Sequence, residues 1–187
     1  MLDGDIRSAV RDLLEQRHAE TPDTRIRNEL GLCLGQTRVD IAVINGAMSG
    51  YEIKSSRDTL ARFPAQVEIY GRVLDHATVV AEGPFVTKVE SFVPDWWGIW
   101  EAVEGDDGAE VFVVRPEACN PSADPLSVAQ LLWRDEALEV LHERDAAAGM
   151  ARATRWELWD RLAELPIDEL GSIVRHKLKG RTDWPGG

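Results

Sequence analysis

Cysteine is scarce in this chain: there are two in 187 residues, Cys33 and Cys119, and no Cys-x-x-Cys pair. A disulfide framework and the usual structural zinc sites are therefore excluded, and two free thiols in a reducing compartment are expected. Long apolar runs are also missing. The longest, Ile41-Ala42-Val43-Ile44 and Val111-Phe112-Val113-Val114, have the length of strands. They fall far short of the roughly 20 residues that cross a bilayer. Met1-Leu2-Asp3-Gly4-Asp5 is acidic and lacks the basic and apolar regions of a signal peptide, so the expected location is the cytoplasm. Basic side chains are in deficit, with 21 Lys and Arg against 33 Asp and Glu and a net charge of -12. That balance argues against coating nucleic acid or an anionic membrane by bulk charge. It leaves room for a local basic surface, or for an acidic site whose charge a metal offsets. The four histidines are scattered without ligand spacing, and no P-loop, Gly-x-Ser-x-Gly or His-Glu-x-x-His occurs.

Hydrophobic residues make up 44% of the chain and charged ones 29%, the balance of an ordinary globular domain with its own core. Ile6, Val10, Leu13 and Leu14 recur at helical spacing, which predicts a helix over 5–18 that Thr21-Pro22-Asp23 closes off. From Glu29 the period becomes two. Leu30, Leu32 and Leu34 alternate, then Val39, Ile41 and Val43, and Asn45-Gly46 opens a turn before a third strand over 51–54. A helix with Pro64 at its first position follows. Thr78–Ala81 reads as a fourth strand, 85–92 as a short helix, and 97–103 and 111–115 as further strands. Residues 119–125 read as a linker, and 126–144, 154–164 and 167–179 as helices. The expected architecture is α/β, in the order α-β-β-β-α-β, with a core over 1–120 and a helical appendage over 121–187.

The chemistry concentrates between Glu29 and Tyr70. Asp40 lies on the second strand and Glu52-Ile53-Lys54 on the third. Glu52 and Lys54 are two apart, so they share a face, and Ile53 points to the other side. A hairpin closing at Gly46 allows Asp40 to lie beside Glu52, although spacing alone leaves the register open. Two carboxylates and a lysine on one sheet face fit a hard divalent cation. Magnesium takes oxygen ligands and needs only one or two protein carboxylates, to which the Ile53 carbonyl can add. Gln66 and Tyr70 lie one turn apart on the next helix. Arg57 and Arg62 flank the motif and can reach phosphates, with solvated helix charges as the equal alternative. Packing in the core is the expectation for Trp96, Trp97 and Trp100, with base stacking as the alternative.

Asp40-x11-Glu52-Ile53-Lys54, preceded by Glu29 and followed by Gln66-x-x-x-Tyr70, resembles the PD-(D/E)XK nuclease superfamily, in particular its RecB-like branch. The pattern Gly50-Tyr51-Glu52-Ile53-Lys54, then Asp58-Thr59-Leu60 and Gln66, is similar to small stand-alone bacterial members. The resemblance spans about residues 5–115, and Val39 replaces the proline usual before the first acid. It implies a restriction-endonuclease-like αβββαβ core and Mg²⁺- or Mn²⁺-dependent hydrolysis of DNA that leaves a 5′-phosphate, in repair or defence. In that reading Asp40, Glu52 and Lys54 are catalytic, and Glu29, Asp40, Glu52 and Ile53 serve the metal. Gln66, Tyr70, Arg57 and Arg62 serve the substrate. The C-terminal helices loosely resemble a SAP helix-turn-helix; a helical lid on the core is the plainer reading. The expected partners are nucleic acid, DNA before RNA, with a protein partner or a second copy of the chain. The alternative is a non-catalytic module that uses the same fold to bind nucleic acid or protein.

Overall fold

The structure is a computed structural model, and it describes residues 3–106, 108–182 and 184. A six-stranded sheet forms the centre, in the order β1 (Arg25–Leu32), β2 (Thr37–Ile44), β3 (Met48–Lys54), β4 (His76–Glu82), β5 (Gly98–Gly105) and β6 (Gly108–Arg115). The strands β1, β2 and β3 are antiparallel, β3, β4 and β5 run parallel, and β6 returns antiparallel. Antiparallel neighbours can be joined by tight turns, whereas parallel ones need a crossover. The crossovers are α2 (Phe63–Val73) and α3 (Gly83–Glu90). Both helices start with a proline in the first turn, where its missing N–H costs nothing. The central strands β3 and β4 are almost wholly buried, which is why β4 reads as a run without polar alternation over Val79-Val80-Ala81. No helix of the described residues is long and apolar enough to cross a membrane.

Each sheet face has its own core. On one side α1 (Asp3–Arg17) lays Ile6, Val10 and Leu14 against Ile41, Val43, Tyr51, Ile53 and Trp100. On the other, α2 packs with α4 (Pro125–Ala129), α5 (Arg134–Glu143), α6 (Arg155–Leu162) and α7 (Ile167–Gly180), and all share one apolar cluster with the sheet. The C-terminal helices therefore extend the α2-side core. The single helix expected over 126–144 is two. Residues 130–133 form a turn, and the Trp133 N–H donates to Glu136 Oε2 at 2.7 Å to start α5. The first strand begins at Arg25, earlier than the Leu30 alternation indicates, because its opening residues are polar and partly exposed. Leu34 leaves the alternation altogether. It sits 46% exposed in a 3-10 turn over 33–35 with φ +60°.

Close approach of α2 to the sheet depends on small residues in register, Ala42 opposite Gly50. A Cβ at Gly50 would lie 2.4 Å from Leu74 Cδ1 and 3.0 Å from Val39 Cγ1. Gly50→Ala is expected to lose about 1–3 kcal/mol, the usual cost of overpacking. Urea denaturation checks this, and an unchanged midpoint would show that Leu74 swings away freely.

Candidate functional site

The hairpin β2–β3 pairs Ile41 with Tyr51 and Ile44 with Met48, so one further step in register sets Asp40 against Glu52. The turn lies at residues 45–47, where the Asn45 side chain accepts from the Ala47 N–H at 3.0 Å. Beyond Ile41 the two strands no longer pair, and Asp40 fills the seam. Its Oδ2 accepts from the Ile53 N–H at 2.8 Å, in place of a ladder bond between the strands.

A paired irregularity creates that seam. Glu29 has φ +56°, and the β1–β2 ladder skips it, passing from Asn28–Ile41 to Leu30–Val39. Both strands change faces there. Ile26 and Ile41 pack toward α1, whereas Leu30 and Val39 pack toward α2. Strict alternation would keep Val39 with Ile41 and Val43 and would place Asp40 with Ala42 and Ile44; the local twist overrides it. A non-glycine residue with positive φ is uncommon, and such strain persists where surrounding contacts over-determine it.

Those contacts come from Arg7 on α1. Its Nη2 donates to Asp40 Oδ1 at 2.8 Å. Its Nη1 lies 3.2 Å from both the Asp40 carbonyl and Glu29 Oε1. Burial opposes the Arg7 charge, but Asp40, with Asp3 and Glu29 behind it, outweighs burial and raises its pKa. Sequence reasoning missed Arg7. It adjoins the apolar stripe of α1, and periodicity does not say how a helix is registered on a sheet. Glu29 is less enclosed, 44% exposed, and its second oxygen is 3.8 Å from Arg38.

Glu52, Lys54 and Tyr70 form one buried cluster with the half-buried Gln66. Lys54 Nζ donates to Glu52 Oε1 at 2.6 Å and to Gln66 Oε1 at 3.1 Å, and Gln66 Nε2 donates to Glu52 Oε1 at 2.8 Å. The Tyr70 hydroxyl donates to Glu52 Oε2 and has the Arg38 carbonyl 3.0 Å away as a second acceptor. Glu52 is 3% exposed, Lys54 8% and Tyr70 not at all. The Tyr70 ring stacks on Trp97 at 5.5 Å, and Lys54 lies 5.2 Å over Phe63, so an aromatic wall backs the cluster. Trp97 just precedes β5 and Trp100 lies within it; both are fully buried, as core residues. Burial pushes the Glu52 carboxyl up, and the Asp40 charge adds to it. Lys54 and the hydrogen bonds from Lys54 and Tyr70 pull the other way without cancelling the rise. Tyr70 is held well above an ordinary phenol, by burial first and then by Glu52.

Of the sequence-predicted residues, the fold thus gathers Asp40, Glu52, Ile53, Lys54, Gln66 and Tyr70, with Glu29 beside Asp40. Gln66 bonds both Glu52 and Lys54, and Tyr70 bonds Glu52, so both serve the cluster itself. The side chains of Arg57 and Arg62 are exposed and take no part in any hydrogen bond or ion pair among the described residues. Their loop is shaped by Asp58 Oδ2, which accepts from the Ser55 N–H at 2.7 Å and the Ser55 hydroxyl at 2.9 Å. Among the described residues, no group of three or more His, Cys, Asp or Glu gathers as metal ligands. Asp40 and Glu52 are carboxylates, the ligand type that magnesium takes from proteins. Every carboxylate oxygen of the pair already accepts a hydrogen bond, so a cation would compete with Arg7 and Lys54.

Fold and site together define an α/β protein with a compensated carboxylate–lysine cluster where the β2–β3 hairpin opens. The chain belongs to the bacteriophage P4 protein cII family, which matches residues 2–181. Protein cII of Enterobacteria phage P4 is 32% identical over 93 residues, half of this chain. That stretch is 35% of the relative, so the similarity spans about a third of its length. Among solved structures, the SPO1766 protein of unknown function from Silicibacter pomeroyi aligns with 69% of this chain and 85% of its own. The TM-score is 0.40 and the identity 21%.

Proposed function

We propose that the chain is a metal-dependent nuclease with a restriction-endonuclease-like core, hydrolysing phosphodiester bonds in DNA. One observation carries this reading: Glu52 and Lys54 are buried together, held by Gln66 and Tyr70, with Asp40 one residue beyond the last paired step and bonded to the Ile53 N–H. Burying a carboxylate and an ammonium is costly, and a structural role would be met as well by apolar residues of similar volume. Perturbed ionisable groups held in a fixed geometry are a mark of functional sites. The order of α1, the three antiparallel strands, α2 and the parallel β4 supports the same core.

Asp40 and Glu52 would hold Mg²⁺ or Mn²⁺, with Glu29 assisting and the Ile53 carbonyl as a further oxygen. The ion would supply positive charge to the phosphate in the transition state. Lys54 orients the attacking water through its ammonium and offsets charge developing on phosphorus. Gln66 and Tyr70 fix the Glu52 carboxylate, and Arg57 and Arg62 are free to meet phosphates. Mn²⁺-dependent cleavage of DNA, lost in Lys54→Ala, tests the reading.

Arg7 favours a second reading, a non-catalytic binding module, because it already neutralises Asp40. Metal uptake separates the two. Arg7→Met removes the cation that competes for Asp40 Oδ1. Under the nuclease reading it should bind Mn²⁺ about tenfold more tightly, matching a charge-assisted hydrogen bond of about 1.5 kcal/mol. Titration calorimetry measures it. Absence of Mn²⁺ uptake in both Arg7→Met and the wild type would leave the binding module as the better account.

A further inference from the structure

We propose that a groove along the edge strand β1 carries one single strand of nucleic acid toward Asp40 and Glu52. The inference rests on the nuclease reading for its direction, but not for its chemistry. The groove holds about 770 Å³ between β1 and the start of α5. Among the described residues that line it, four arginines (Arg11, Arg27, Arg38 and Arg181) face one acid, Glu29. In a chain with 33 acidic and 21 basic side chains, that local reversal of sign is the kind that concentrates a polyanion.

Two of the four charges are already matched: Arg181 pairs with Glu136, and Arg11 with Glu15 at 2.8 Å. The other two are available. Arg38 is 69% exposed, with Glu29 no nearer than 3.8 Å. Arg27 forms no ion pair among the described residues, and its buried Nε has no hydrogen-bond partner there.

Aromatic rings alternate with these guanidiniums. Arg181 lies 4.2 Å over Trp133 and 5.1 Å over Trp184, and Arg27 lies 4.9 Å over Trp184. The result is a stacked series of flat groups that ends on the 42%-exposed indole of Trp133. Bases stack on such faces whatever their sequence, while arginines track the backbone. A duplex keeps its base faces covered and would meet only the arginines, so the tryptophans favour a single strand. The wall of the groove adjoins the cluster. Arg7 ties Glu29 in its wall to Asp40, and the Arg38 carbonyl lies 3.0 Å from the Tyr70 hydroxyl while its side chain lines the groove.

The test is fluorescence anisotropy of the full chain with a labelled oligo(dT) of about 16 nucleotides, in EDTA so that nothing is cleaved. Trp133→Ala should weaken binding about 5- to 100-fold and Trp133→Phe should restore most of it, since phenylalanine keeps a stacking face. The α5 start is unaffected, because Trp133 caps it through its backbone N–H. Arg38→Ala should lower the slope of log affinity against log salt by about 0.7, one phosphate contact on a single strand. Lys88→Ala on α3, across the sheet, should change neither. Oligo(dT) affinity unaltered in Trp133→Ala and Arg38→Ala overturns the proposal, as does equal affinity for duplex. Displacement of the oligonucleotide by polyglutamate at equal charge also overturns it, in favour of an acidic peptide. If groove variants lose binding while Mn²⁺ yields no cleavage, the groove stands and the nuclease reading falls. Cleavage that depends on Lys54 and is indifferent to both groove variants means the reverse.

Discussion

Incubated with Mn²⁺ and DNA, the purified chain is expected to cut, and Lys54→Ala is expected to cut at least about 10²-fold more slowly. Removing one well-placed group that stabilises transition-state charge typically costs about 10²- to 10³-fold. Lys54 has no substitute within the cluster, because Gln66 and Tyr70 are neutral donors already committed to Glu52. Loss of Lys54 also unsettles a buried pair, so a second variant is required. Asp40→Asn keeps an oxygen to accept from the Ile53 N–H, removes the charge and gives up the acceptor that Arg7 Nη2 uses, while Asp3 and Glu29 remain to pair with Arg7. It should lose cleavage to a similar degree while folding normally in EDTA. Both single- and double-stranded DNA and RNA belong in the assay. Identical background cleavage in wild type, Lys54→Ala and Asp40→Asn would end the nuclease reading.

What the sequence made legible is the part of the site that spacing controls. A hairpin centred near Gly46 allows Asp40 to lie beside Glu52; spacing leaves the register open, and the structure pairs the strands as far as Ile41 and Tyr51, with Asp40 bonded to the Ile53 N–H just beyond. The period of two then sends Glu52 and Lys54 to one face and Ile53 to the other. A four-residue step on α2 brings Gln66 and Tyr70 to the same carboxylate. What stayed hidden depends on how elements dock. Arg7 reaches Asp40 only because α1 lies across β2 and β3 in one particular register. The face change at Glu29 and Asp40 breaks the alternation with no glycine or proline to announce it. The start of α5 carries no Ser, Thr, Asp or Asn cap; Trp133 is capped by Glu136 through its backbone, so the only sign is an acid three residues in. The groove escaped for the same reason. Arg27 and Arg38, Trp133 and Trp184 are far apart in the chain, and only the packing of the C-terminal helices beside β1 assembles them.

Metal-free Lys54→Met is expected to lose about 3–5 kcal/mol at neutral pH, the usual penalty for leaving half of a buried ion pair unmatched. The pH dependence of that loss identifies Glu52 as its source. The folded protein holds the Glu52 carboxyl above the ordinary value of 4.5, so between these two values the native state binds more protons than the unfolded chain. Stability must therefore fall as pH rises through that window and level off above it. Acidification from neutral pH toward 4.5 relieves the penalty. Without Lys54, one of the two influences that pull Glu52 down is gone, so the slope should steepen and the window should extend to higher pH. Glu52→Gln with Lys54→Met should flatten the profile and recover most of the lost stability. A neutral amide can donate to the Tyr70 oxygen while that hydroxyl turns to the Arg38 carbonyl 3.0 Å away. Urea midpoints in EDTA from about pH 5 to about pH 8.5 would measure all three proteins across the carboxylate window. A Lys54→Met profile parallel to wild type, or a double variant no more stable than the single, would mean that the carboxylate is not the group under strain. The expected result places the energetic cost of the cluster on the charged form of Glu52, the form that a divalent cation would stabilise and that the neutral fold alone does not need.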